Sequence, residues 1–313
     1  MKSTVVFLAL FASAIHAGAQ NYPAQQPIQV IVPFSAGGAV DGMARVFSRA
    51  IATQLGAQVV VINKEGAGGT IGFWQVARAA PTGYTLAFGP STPVTSGSIL
   101  LKGPKYDTLM PVCQTHENVM TVVVSADSPI KSIQQLIQMA KADPGKIAYG
   151  AAGQGTVPHL SAEHFAQAAG LKFNAIAYRG DSPMLVDLIG GAIQFGVSSA
   201  AAAGANDKLR VLAVFAEQRQ DRYPDAPTFK ELGIASLAPG LNGLWAPKGT
   251  SPAVVETLAK ACEVAVQSKE FRDTARTLSQ HPAYLGSQQY LQRVSTDFQA
   301  LEKVIRSLHL KSE

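Results

Sequence analysis

At 313 residues, with 47% apolar side chains, the chain can form two ordinary domains or one large one. Only 15% of residues are charged, and the net charge of +5 is a mild excess spread along the sequence. No Lys/Arg run resembles a nucleic-acid patch, aromatic residues are sparse, and past the N-terminus no segment has the unbroken apolar length of a membrane span.

The chain opens with Lys2, an apolar run over Val5–Ala12 and small residues ending in Ala17-Gly18-Ala19. One positive charge, a short apolar stretch and an A-x-A site form the pattern of a secretory signal. Residues 1–19 are therefore expected to be removed after Ala19. With no cysteine near that site, a soluble, exported protein is expected rather than a lipid-anchored one.

Apolar runs of strand and helix period then alternate. Ile28–Val32, Val59–Ile62 and Thr85–Gly89 read as strands, with helices predicted at Ala44–Leu55 and Thr70–Ala79. A second series predicts strands at Val119–Val124, Ile147–Tyr149, Ala175–Tyr178, Gln194–Val197 and Arg210–Phe215. Its helices are expected at Ser132–Ala142, Pro158–Ala169 and Pro183–Ile189. The last part reads as helices at Pro252–Gln267, Glu270–Leu278 and Ser287–Leu308, the first opened by Thr250-Ser251-Pro252, a hydroxyl cap before a proline. This rhythm predicts parallel sheets with helices on both faces. No linker divides the chain, which points to two α/β halves joined by crossing strands around a shared cleft.

Cys113 and Cys262 are the two cysteines. An oxidising compartment permits a bridge. Cys262, however, falls on an apolar helical stripe with Val255, Leu258 and Val266, where a buried free thiol is the ordinary outcome, and spacing leaves the pairing open.

Three glycine-rich loops follow strands. In Pro33-Phe34-Ser35-Ala36-Gly37-Gly38-Ala39-Val40-Asp41 a strand breaks into a helix start. The free N–H groups and positive dipole end of such a helix suit an anion, although two glycines can equally serve a tight turn. Asp41, ionised, is suited to accepting N–H groups of the first turn and fixing the loop. The second loop, Asn63 to Gly72, departs from the dinucleotide pattern and lacks a Walker lysine. The third holds Gly153-Gln154-Gly155-Thr156, where the Thr156 hydroxyl can cap the next helix or meet a ligand oxygen. Ser91 and Ser198 are hydroxyls at the ends of predicted strands. No G-x-S-x-G elbow supports a hydrolase, and His159 and His164 are five apart, without metal spacing.

Together these loops resemble the Bug (tripartite tricarboxylate transporter, TctC-like) family of periplasmic solute-binding proteins. Residues 33–41 resemble its P-F/Y-x-x-G-G-x-x-D, and residues 63–72 its N-x-x-G-A-G-G-x-I/L-G. Residues 77–86 resemble A-R/K-A-x-P-D-G-Y-T-L/I, and Tyr178 to Gly191 resemble Y-K-G-x-x-P-A-x-x-D-L-x-G-G. Asp225 to Gly233 resemble D-x-P-T-x-x-E-x-G, and residues 246–250 resemble A-P-x-G-T. The resemblance covers the mature chain.

It implies an α/β fold of the two-domain periplasmic-binding-protein kind (Venus flytrap, type II-like), with the ligand cleft between domains. One domain would comprise 20–118 plus 217–313 and the other 119–216. It implies a receptor and no enzyme, with no cofactor and no metal. Such a receptor would be a periplasmic monomer capturing a small carboxylate (a di- or tricarboxylate or related acid) for the membrane subunits of a tripartite transporter. A ligand-presenting partner of a membrane sensor kinase is the alternative. The implied ligand-binding residues are Phe34, Ser35, Ala36, Gly37, Gly38, Asp41, Ser91, Gly153, Gln154, Gly155, Thr156, Arg179 and Ser198. Arg179 replaces the usual Lys and can serve either a second carboxylate or a surface ion pair. Val197-Ser198-Ser199 stands where an acid is frequent, and its loss argues against an amino-acid ligand.

Overall fold

The computed structural model describes residues 22–152, 156–178, 181–204, 206–237 and 239–310. The expected signal sequence (residues 1–19) and the expected site residues Gly153, Gln154, Gly155 and Arg179 lie outside them. In the first sheet, β1 (Ile28–Val32), β2 (Val59–Asn63) and β3 (Thr85–Pro90) run parallel, linked by α1 (Ala39–Leu55) and α2 (Thr70–Ala77). A short α3 (Ser96–Leu100) leads to β4 (Leu109–Asn118), the first strand that the sequence patterns left unread. β4 is followed after Val119 by β5 (Met120–Ser125), which belongs to the second sheet.

There follow α4 (Ile133–Ala142), β6 (Ala148–Ala152), α5 (Val157–Ala168), β7 (Asn174–Tyr178), α6 (Asp181–Ile189), β8 (Phe195–Ser199), α7 (Ala200–Gly204) and β9 (Leu209–Phe215). The chain returns through residues 216–239 to β10 (Gly240–Pro247). It ends with α8 (Pro252–Gln267), α9 (Lys269–Thr277), β11 (His281–Gly286) and α10 (Ser287–Ser307).

The strand orders are β11-β4-β10-β3-β1-β2 and β7-β6-β8-β5-β9. The expected parallel sheets are in fact mixed. β10 is antiparallel to both β3 and β4, and β5 is antiparallel to β8 and β9. Of the strands read from the sequence, β1, β2 and β3 and likewise β6, β7 and β8 run parallel, whereas β5 and β9, also read, pair antiparallel; the unread β4, β10 and β11 supply the antiparallel edge of the first sheet.

Both sheets carry helices on both faces. On one face of the first, Phe47 of α1 packs against Phe88 of β3 with ring centroids 4.9 Å apart, and α8 adds Leu258 and Cys262. On the other, Trp245 of β10 meets Tyr290 of α10 at 5.0 Å. α1 stops where Gly56 turns left-handed at φ +61°, the usual glycine ending. α8 starts where the Ser251 hydroxyl accepts from the Val254 N–H, as the Thr-Ser-Pro signal foretold. The second core includes Phe229, stacked on Phe215 at 4.2 Å, so part of the returning segment packs with the second sheet. Leu160 of α5 joins Leu301, Val304 and Ile305 of α10 in an apolar cluster between the two units.

Cys113 and Cys262 form a disulfide in place of the free thiol expected at Cys262. The apolar stripe that suggested a buried thiol packs directly on β4, so both sulfurs lie in one core layer.

Candidate functional site

The loop after β1 is held from below by one carboxylate. Asp41, 3% exposed in the first turn of α1, accepts hydrogen bonds from the Gly37 N–H, Arg45 Nε and Asn63 Nδ2, each at 2.9 Å. Asn63 also donates to the Phe34 carbonyl at 3.0 Å. Burial opposes ionisation of Asp41, but the bonds from Arg45, Gly37 and Asn63 outweigh it and hold its carboxyl at about 2. Gly37 has φ +85°, a conformation strained for any residue with a Cβ. The second glycine-rich loop is a packing seat. A Cβ at Gly69, itself at φ +93°, would come within 2.9 Å of Pro93 and 3.3 Å of Pro33.

A folded-state carboxyl near pH 2, against about 4 for a free Asp, stabilises the fold above pH 4 and loses that contribution as pH falls toward 2. Asp41→Asn is expected to cost about 2 kcal/mol at pH 7, with a smaller gap at pH 3. Urea titrations at the two pH values measure it, and an equal loss at both would show that ionisation is irrelevant.

Above this loop a cavity of about 440 Å³ opens between the two sheets. Phe34, Val40, Pro90, Thr92, Ser96 and Leu100 line it from the first unit, with Asn118 and Asn242 where β4 and β10 meet. Met120, Thr156, Val157, Pro158, Asp181 and Ser199 line it from the second. It lies beyond the carboxyl ends of β1, β3 and β8, where open α/β sheets place ligands. The first turns of α1, α5 and α6 all reach its wall, while no Lys, Arg or His side chain does among the described residues. Positive potential there comes from helix ends and backbone N–H groups, a setting for an anion that needs no cationic side chain.

A family model described as "Tripartite tricarboxylate transporter family receptor" matches residues 43–310. The chain belongs to this family of receptors. Two relatives are each 36% identical. One, from Cupriavidus necator, is encoded in the gbd 5' region, with 97% of this chain aligned to 93% of that protein; the other is BugT of Bordetella pertussis, with 84% aligned to 83%. Among solved structures, a TctC solute-binding protein from Polaromonas superposes with a TM-score of 0.83 at 30% identity, covering 91% of this chain and 99% of that one. The R. palustris protein Rpa4515 with adipate superposes at 0.75 and 25% identity, covering 93% of this chain and all of that one. The receptor thus has the α/β fold of periplasmic binding proteins, and it is a solute-binding protein, not an enzyme.

Of the residues expected at the receptor's site, Phe34 and Thr156 stand on the cavity wall. Thr156 occupies the N-cap of α5, but its side chain makes no capping bond. Ser35, Ala36, Gly37 and Gly38 are exposed in the loop between Phe34 and Val40, and Ser35 donates to Glu65. Asp41 lies beneath them. Ser91 is buried in a small pocket that adjoins the cavity through Thr92, Val157 and Gly240. Ser198 is fully buried, and strand alternation gives its neighbour Ser199 the place on the wall.

Sequence reasoning missed Asn118 and Asn242, which come from strands it did not read, and Asp181. The signal for Asp181 lies in the sequence itself: it follows Gly180 in the Tyr178 to Gly191 motif, two residues after Arg179.

Proposed function

We propose that this receptor captures a small carboxylate in the cavity between its two sheets and delivers it to the membrane subunits of a tripartite transporter. The observation that carries the reading is the convergence of three helix N-termini on a cavity that has no cationic side chain among the described residues. A carboxylate there is held by backbone N–H groups of the Ser35–Val40 loop and of the start of α5, directly or through water. Adipate in Rpa4515 is in keeping with an acid ligand in this fold.

The protein works in the periplasm as a monomer, after cleavage at Ala19. Its two domains close on the ligand about Val119 and the returning segment. The second domain comprises 119–216, and Phe229 of the returning segment packs onto its core.

The test is calorimetric titration of the purified mature protein with a carboxylate panel, repeated on Gly38→Val. Gly38 has ordinary backbone angles, and an added Cβ meets nothing nearer than the Ser35 carbonyl at 3.7 Å. The variant is therefore expected to fold, at a cost of roughly 1 kcal/mol for a poorer N-cap, and to lose carboxylate binding by crowding the start of α1. Unchanged affinity would move the carboxylate elsewhere, and a panel without a single binder would overturn the reading.

A further inference from the structure

The second sheet ends at β9, and the returning segment covers only part of that edge. The Val214 N–H donates to the Pro227 carbonyl at 3.0 Å, and the Phe229 N–H donates to the Val214 carbonyl at 3.2 Å. From Arg210 to Leu212 the outer edge has no backbone partner among the described residues. A cavity of about 590 Å³ lies between this stretch and residues 222–227. It shares no wall residue with the carboxylate cavity. Arg210 pairs with Val124, which is about 13 Å along β5 from Met120 on the wall of that other cavity.

Lys131, Arg210, Arg219 and Arg222 line this second cavity against one acid, Asp225, among the described residues. Arg219 is neutralised by Glu231 at 2.9 Å, whereas the other three cations form no ion pair among the described residues. Arg210 donates to the Ala126 carbonyl at 2.8 Å, and Arg222 donates to the Ser279 hydroxyl at 3.1 Å and to the Gly204 carbonyl. Neutral acceptors thus fix both guanidinium groups in place and leave their charge uncompensated. The start of α4 adds to the field. The Ser132 hydroxyl caps the Gln135 N–H, while the N–H groups of the wall residues Ile133 and Gln134 have no acceptor within the helix. The cations flank both faces of the sheet. Leu212 packs with Ile133, next to Lys131, and Val211 packs on the other side with Ala203 of α7, whose last carbonyl holds Arg222.

We propose that this edge is a docking site for an extended acidic segment of a partner protein, which adds to β9 as a further strand. Its main chain takes up the free edge, its side chains alternate between the two faces, and its carboxylates meet Lys131, Arg210 and Arg222. A small anion leaves the strand edge unused, and a neutral strand leaves the cations uncompensated. A segment that is both extended and acidic satisfies the two together. Lying away from the cleft, the site does not compete with the captured ligand.

A fluorescein-labelled peptide, Gly-Glu-Glu-Val-Glu-Glu-Gly, tests this by fluorescence anisotropy with the mature protein at low salt. It is expected to bind roughly tenfold tighter than its Glu→Gln counterpart, and to weaken as salt is added. A counterpart with N-methylated amides keeps the charges but cannot donate to the strand edge, and it should bind about as weakly as the Gln peptide. Lys131→Gln and Arg210→Gln should each weaken the acidic peptide severalfold while leaving carboxylate binding in the main cavity unchanged. Thermal melts check both variants; if Arg210→Gln, which gives up its bond to Ala126, fails to fold, Lys131→Gln carries the test. The proposal falls if the acidic peptide does not bind, if the N-methylated peptide binds equally well, or if the folded variants bind as the parent does. Binding of inorganic pyrophosphate without binding of the peptide would make the cavity a small-anion site and overturn the proposal too. The carboxylate reading of the main cavity stands in each case.

Discussion

Reducing the Cys113–Cys262 bridge is expected to destabilise the protein by about 3–5 kcal/mol. The bridge spans a sequence separation of 149 residues and closes a loop that contains the whole second sheet. On chain-entropy grounds, a loop of that length confines the unfolded ensemble by about 5 kcal/mol, toward the upper end of what such bridges contribute. Few rival effects complicate the comparison, because the reduced protein keeps both sulfurs in the same core layer between β4 and α8. Both cysteines are fully buried, so reductant alone should act slowly on the native protein and quickly once denaturant opens it. Urea midpoints with and without dithiothreitol measure the effect. Coincident curves, with free thiols verified, would show that the bridge does nothing for stability. The Cys113→Ala/Cys262→Ala protein should lose at least as much, since it also gives up two buried sulfurs.

The parts of the fold that were legible share one physical property. β1, β2, β3, β6 and β7 are short apolar runs beside a helix or a loop; in β1 and β3 the run follows burial, whereas β2 and β7, at the sheet edges, show it in their β-branched or apolar residues alone. β4 defeats that reading because Gln114, Thr115, His116 and Glu117 are all buried. Their partners are remote in sequence: Gln114 donates to the Ala283 carbonyl, Thr115 to the Asn242 carbonyl, and Glu117 pairs with Arg293 at 2.7 Å. A polar tetrad that depends on such tertiary contacts for much of its satisfaction looks like a loop in isolation. β10 is hidden by Gly240 and Gly243, the second needed because a Cβ there would collide with the Cys113 carbonyl and Tyr290. The same blindness affected the site. The helix-start loop and its Asp41 support were readable from adjacent residues, whereas Asn118 and Asn242 depended on the unread strands.

Asp297→Asn is expected to stabilise the protein at pH 8 by on the order of 4 kcal/mol more than it does at pH 4. Asp297 sits on α10 at 9% exposure, facing the small pocket that holds Ser91. Burial pushes its carboxyl up to about 7, and Arg293, one turn earlier and already engaged by Glu117, counters this only weakly. The sign follows from linkage. Between about pH 4 and pH 7 the folded protein keeps a proton that the unfolded chain has released, so stability falls as pH rises through that window. Asparagine, of nearly the same size and without charge, removes the slope. The wild-type curve by itself will not display it, because fully buried His116 titrates with the opposite sense. Burial holds that imidazole at about 3, so the unfolded chain takes up a proton that the folded one refuses, and stability rises with pH from about 3 to about 6.5. The two slopes overlap and oppose each other, which leaves the parent protein with a flatter profile than either group alone would give. The informative quantity is therefore the difference between variant and parent, from urea titrations at pH 4, 6 and 8. A gain that grows with pH locates a buried, proton-holding carboxyl at Asp297. A constant difference would mean that Asp297 is already ionised in the fold, with Arg293 neutralising it after all.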